Sequence, residues 1–218
     1  MRKVSFNDIL GLHMRGQPIE AVCANILRAE LPSFSHDYID RALSGDQEAA
    51  GMLAFTNNNM RPLVLFCLYA CCPHSAGFRV GLNDIWGHDG PIVLQNIDND
   101  LLRSMFESGG QPPLDLPKLI TVYRGGQDDF DKLRRGWSWT THRGVAAWFA
   151  LRFPENALVV TASVRSSSIL HGCNERREKE VVIADGVRRA TISGTPGDWE
   201  AEAAAWHADA TKPYELKF

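Results

Sequence analysis

Three short segments in the second half of the chain carry residue types that could act together on a reacting bond. Val122-Tyr123-Arg124-Gly125-Gly126 sets an arginine beside two glycines at the end of an apolar run. Gly136-Trp137-Ser138-Trp139-Thr140-Thr141 places two hydroxyls, Ser138 and Thr140, two positions apart. Glu175-Arg176-Arg177-Glu178-Lys179-Glu180-Val181-Val182-Ile183 places Glu178 and Glu180 two apart at the mouth of a β-branched run. Arginine offers a rigid fork of donors fitted to anionic oxygens, unlike the point charge of lysine. A fixed carboxylate stabilises positive charge developing on a substrate, and a second can take up a proton. Residues two apart on a strand point the same way, so Glu178 and Glu180 are expected on one surface.

Such side chains need rigid elements to hold them. Leu119-Ile120-Thr121-Val122-Tyr123 reads as a strand ending at Arg124, with the glycines letting the backbone turn. Gly144 to Phe153 reads as a helix with Ala146, Ala147 and Ala150 small and Val145, Trp148 and Phe149 apolar. Ala157 to Val164 and Glu180 to Ala184 read as strands. Asp185-Gly186 is a hairpin signal leading into Arg189 to Ser193. Thr195-Pro196 opens a last helix whose Trp199, Ala203 and Trp206 read as core, and Tyr214 to Phe218 alternates like a short terminal strand.

The first half has a different texture. Pro18-Ile19-Glu20 opens a helix with Ile19, Val22, Ile26 and Leu27 on one face. Ser44 to Glu48 supplies start chemistry for a second, which Asn57-Asn58-Asn59 breaks. Pro62 begins an apolar run to Cys72, and Asp98 to Glu107 is a further helix. Gly109-Gly110-Gln111-Pro112-Pro113 marks a linker. The expected fold class is α+β, with a helical region over 1–112 followed by a β-containing core over 113–218.

The chain has 218 residues, 44% hydrophobic and 22% charged, with a formal net charge of -3. These values are ordinary for a folded domain and do not suggest a broad nucleic-acid footprint. Five cysteines form no regular framework, so free thiols in a reducing compartment are expected. The first residues lack the apolar core of a secretion signal, and no run approaches the roughly 20 residues that cross a bilayer. A cytoplasmic protein is the expectation, with delivery into another cell by a signal-less route also open.

The order arginine, then Ser-x-Ser/Thr, then Glu-x-Glu resembles the ADP-ribosyltransferase superfamily over about residues 119 to 185. The resemblance implies a mixed or antiparallel split β-sheet core that binds NAD⁺ as a substrate and requires no metal. By this likeness Arg124, with Gly125 beside it, anchors NAD⁺, Ser138 and Thr140 fill the hydroxyl positions, and Glu180 is the catalytic glutamate. Glu178 takes the preceding acidic position, which in that family often goes with transfer to a protein arginine. Cleaving the nicotinamide–ribose bond passes through a cation-like sugar that Glu180 stabilises, while Glu178 orients or deprotonates the acceptor. Tyr123, Trp148 and Phe149 are candidates to stack on nicotinamide. Ser138 follows Arg124 more closely than in toxin members, which carry a longer helical insertion there.

Other readings remain beside this one. Glu175 and Glu178 could be the acidic pair instead. Water as acceptor makes the protein an NAD⁺ glycohydrolase, and loss of chemistry makes it a partner-binding module. A macromolecular target is expected, protein rather than nucleic acid. Cys71-Cys72-Pro73-His74 lacks a second ligand pair at zinc spacing. Cys173 near His171 is read as an ordinary loop thiol, and Arg134-Arg135 and Arg176-Arg177 as solvated charge. No glycine fingerprint of a dinucleotide fold and no phosphate-binding loop of the Walker type is present.

Overall fold

The structure is a computed structural model that describes Gly11 and residues 16–127, 129–174 and 177–211. The chain divides into two compact units, Met1–Gln111 and Pro112–Phe218. No helix among the described residues is long and apolar enough to cross a membrane.

The first unit is helical: α1 (Ile19–Glu30), α2 (His36–Leu43), α3 (Gln47–Ala54), α4 (Arg61–Cys71), α5 (Ala76–Asn96) and α6 (Asn99–Gly109). Side-chain caps start three of them. Asp46 accepts from the Ala49 N–H, Ser75 from Phe78, and Asp98 from Asp100 and Leu101. Phe78, Leu82 and Ile85 of α5 are buried with Leu53 of α3 and Leu65 and Leu68 of α4. Trp86 meets Phe106 edge-on at 5.0 Å between ring centroids. The helix α5 kinks at Asp89 (φ -138, ψ 33), two residues before Pro91, whose ring removes a backbone donor. The buried Asp89 carboxylate is met there by the Arg61 guanidinium, whose Nε also donates to the Ala54 carbonyl at 2.8 Å.

The second unit is built on one six-stranded sheet with every described pairing antiparallel. Its elements are β1 (Leu119–Gly126), α7 (Phe130–Arg134), β2 (Ser138–Thr140), α8 (Arg143–Leu151), β3 (Leu158–Arg165), β4 (His171–Cys173), β5 (Glu180–Val182), β6 (Thr191–Ile192) and α9 (Pro196–Ala210). The strand order is β4-β5-β2-β1-β3-β6. One face carries an apolar core of Val122, Trp139, Val160, Ala162 and Val181, closed by Leu133 and Ile169. The other face carries Val159 against Ala146, Ala147 and Ala150 of α8 and Trp199 and Ala203 of α9. Helix α9 begins in a reciprocal capping box between Thr195 and Asp198, with Pro196 in its first turn.

The structure corrects three expectations. First, β1 does not end at Arg124 but runs through Gly125 and Gly126, which pair with Val159 and Leu158. Glycine is needed at 125 for close approach rather than for turning. A Cβ there would lie 1.7 Å from the Ala146 carbonyl oxygen of α8. Second, Asp185-Gly186 does turn the chain, both with positive φ, but β6 pairs with β3 and not with β5. Both edges of β5 are already taken by β2 and β4, leaving no place for a hairpin partner. The chain after the turn bonds instead through Val187 N–H to the Arg134 carbonyl at 2.7 Å. Third, β5 begins at Glu180, and Lys179 before it has φ 47. Strand alternation therefore does not extend back to Glu178. The alternation expected of Tyr214 to Phe218, and the Glu175 alternative, lie outside the described residues.

Candidate active site

Register brings residues from four neighbouring strands into one cross-strand row. Tyr123 of β1 pairs with Thr140 of β2, Thr140 with Glu180 of β5, and Glu180 with Cys173 of β4. Side chains paired this way share a face, with Cβ atoms about 4.5–5.5 Å apart. Ser138, two positions before Thr140 on β2, shares that face by alternation. Glu180 is 9% exposed and Thr140 6%. A carboxylate held this far from bulk water acts through a lower effective dielectric than one at the surface.

Hydrogen bonds tie the acidic segment to β2. The Thr140 hydroxyl donates to the Glu178 carbonyl at 2.6 Å and accepts from the His142 N–H at 3.0 Å. Thr141 N–H donates to the Lys179 carbonyl at 3.1 Å. Thr140 thus braces the loop that presents the two glutamates. Arg177 (φ 57) and Lys179 (φ 47) both hold left-handed backbone around Glu178. For non-glycine residues that conformation costs about 1–2 kcal/mol each.

Arg124 stands apart from this row. As the neighbour of Tyr123 on β1 it alternates to the opposite face, paired with Val160. Its guanidinium donates to the Ser138 carbonyl and lies against Gly136, where a Cβ would meet the arginine Cζ at 2.3 Å. In this arrangement Arg124 fixes the entry to β2. Trp148 and Phe149 lie on α8, which packs on the same face of the sheet as the row, and Trp148 joins Tyr123 against the Val159 cluster. The two α8 rings pack edge-on to each other, with the Arg152 guanidinium 4.0 Å and 4.4 Å from their ring centroids. Trp148 also packs on Trp206 at 5.3 Å.

Beside the row lies an open cavity of about 450 Å³, lined on one side by Tyr123, Thr141 and His142 and on the other by Glu202, Trp206 and Asp209 of α9. That volume falls in the range of small-molecule sites, roughly 300–1,000 Å³. An Arg143–Glu202 ion pair at 2.7 Å joins the start of α8 to α9. Of the three aromatic residues singled out in the sequence, Tyr123 lines this cavity. Trp206 was read as core with Trp199 and Ala203, and only the latter two are buried. Helical spacing put all three on one stripe, but it could not show that the stripe runs past its packing partner. His142, Glu202 and Asp209 gave no motif signal.

His171 on β4 is almost fully buried, and desolvation pushes its imidazole pKa down to about 4. It is therefore neutral at physiological pH. All five cysteines are free. Among the described residues no three of His, Cys, Asp or Glu are grouped to hold a metal ion. No family model, no curated protein and no solved structure matches the chain.

Proposed function

We propose that the second unit is an ADP-ribosyltransferase core that takes NAD⁺ as substrate and passes ADP-ribose to a macromolecular acceptor, a protein arginine first among candidates. The observation that carries this reading is the single cross-strand row of Tyr123, Thr140 and Glu180, with Ser138 on the same face. The three motif segments, distant in sequence, supply adjacent strands of one sheet. In the reaction the bond between ribose C1′ and the nicotinamide nitrogen breaks, and nicotinamide leaves with the electron pair. Glu180 stabilises the cationic sugar, the acceptor's nucleophile bonds to C1′, and its proton passes to Glu178. Tyr123 and the adjoining cavity provide the flat wall and the volume for the dinucleotide's nicotinamide end. Arg124 contributes through the Ser138 backbone, which its guanidinium holds by donating to the Ser138 carbonyl. The free cysteines support a reducing, cytoplasmic site of action.

A second reading, NAD⁺ hydrolysis, is favoured by one observation. The left-handed Lys179 takes Glu178 out of strand alternation with Glu180, so the acceptor-side acid is not fixed by the sheet. Incubation with NAD⁺ labelled in the adenosine half and a cell lysate separates the two. Transfer predicts label on a protein band, lost in Glu180→Ala; hydrolysis predicts nicotinamide release without label. Neither signal from the wild-type protein would overturn both readings and leave a partner-binding module.

A further inference from the structure

The six-residue connection from β4 to β5 must return the chain from Cys173 to its direct partner Glu180. It does so with two non-glycine residues, Arg177 and Lys179, in left-handed backbone on either side of Glu178. Asn174 bonds to both of these residues. Its carbonyl accepts the Arg177 N–H at 2.9 Å, and its side-chain Oδ1 accepts the Lys179 N–H at 3.0 Å. Strand β2 and the residue after it hold the loop as well, through Thr140 and Thr141, which donate to the Glu178 and Lys179 carbonyls. Helix α9 holds the loop's far end, with Trp206 Nε1 donating to the Arg177 carbonyl at 3.4 Å and Arg177 donating to the Asp209 carbonyl at 2.9 Å.

Left-handed backbone at non-glycine positions persists only where the surroundings over-determine it. The Asn174 side chain is the short acceptor that reaches across the loop to Lys179, the residue joining the two glutamates. We propose that Asn174 is a positioning residue for Glu178, holding its carboxylate where the acceptor is activated, while Glu180 is held independently by strand pairing. The assignment rests on the transferase reading for its catalytic meaning. It makes a specific claim about partition: loosening Asn174 affects transfer to the acceptor more than cleavage of NAD⁺.

The test compares Asn174→Ala, Asn174→Asp and the double variant Asn174→Ala/Lys179→Gly. Nicotinamide release and label on acceptor protein are measured in parallel, with amide hydrogen exchange at Lys179 and Thr141. Asn174→Ala is expected to lower the ratio of transferred label to released nicotinamide about tenfold, as misplacement of a reacting group costs up to about a hundredfold. Exchange at Lys179 should quicken. Asn174→Asp keeps an acceptor and should restore the ratio. Glycine at 179 adopts positive φ without penalty, so the double variant should recover most of the loss. The proposal is overturned if Asn174→Ala leaves the ratio unchanged, or if glycine at 179 rescues nothing although both variants melt like wild type. A wild-type protein that releases no nicotinamide defeats the transferase reading itself. In that case the exchange data alone report whether Asn174 holds the loop.

Discussion

The two units handle buried polarity in opposite ways. In the helical unit the buried charges, Arg61 and Asp89, satisfy each other at the kink of α5. In the sheet unit the buried polar residues Thr140, His171 and Glu180 sit on adjacent strands, and the row through Thr140 and Glu180 adjoins a cavity. Backbone strain divides the same way. Among the described residues every non-glycine with positive φ, namely Asp115, Arg177, Lys179 and Asp185, belongs to the sheet unit. Two of the four flank Glu178. Polar burial that closes on itself serves the fold. Polar burial held beside an open cavity by strained backbone is where chemistry is to be sought.

Asp89→Ala strands the Arg61 guanidinium and should destabilise that unit by about 3–5 kcal/mol in denaturant titration, while nicotinamide release per folded molecule stays unchanged. Loss of activity beyond the loss of folded protein would show that the pair does more than hold the kink.

His171 gives the next largest effect, through pH. Its pKa of about 4 in the folded protein lies below the ordinary value of 6.5, so the unfolded chain binds the proton first as pH falls. Stability is therefore full above about pH 6.5 and declines toward pH 4, by about 3 kcal/mol in total. Urea midpoints across that window should drop in wild type and flatten in His171→Gln. Parallel slopes in the two proteins would contradict the assignment.

The smallest expected effect, about 2 kcal/mol, comes from Gly125→Ala, which forces α8 away from β1. The cavity wall at Thr141 to Gly144 should shift with it, read as altered amide shifts at His142 and Arg143. If the variant melts like wild type, the packing of α8 on β1 is looser than described.

Much of this was legible because local chemistry and tertiary context agreed. Asp46 and Asp98 announce helix starts, Thr195-Pro196 opens α9, and the β-branched runs give β1, β3 and β5. Helix α5 gave no usable signal. It carries Gly81, Gly87, Gly90 and Pro91 and is apolar on several sides, so no single stripe stands out. The three-residue strand His171-Gly172-Cys173 has no strand propensity and exists because β5 offers it an edge. At the site, residue types were readable and directions only partly so. Spacing two apart, read as one surface for Glu178 and Glu180, failed because a left-handed Lys179 interrupts the strand, and the short strand that sets Ser138 and Thr140 on one face was not read from the sequence. Nothing local to Tyr123-Arg124 reveals which face the arginine takes. That is fixed by Val122 burying on the far side of the sheet.

In the proposed reaction everything turns on Glu180 stabilising a cationic sugar formed from NAD⁺. The direct measurement is nicotinamide release from NAD⁺ by the purified protein beside Glu180→Gln, with melting followed in both. Wild type should release nicotinamide, with a drop of about 10²–10³-fold in the variant at nearly unchanged melting temperature. Equal release by both proteins, or none by wild type, would contradict that role for Glu180.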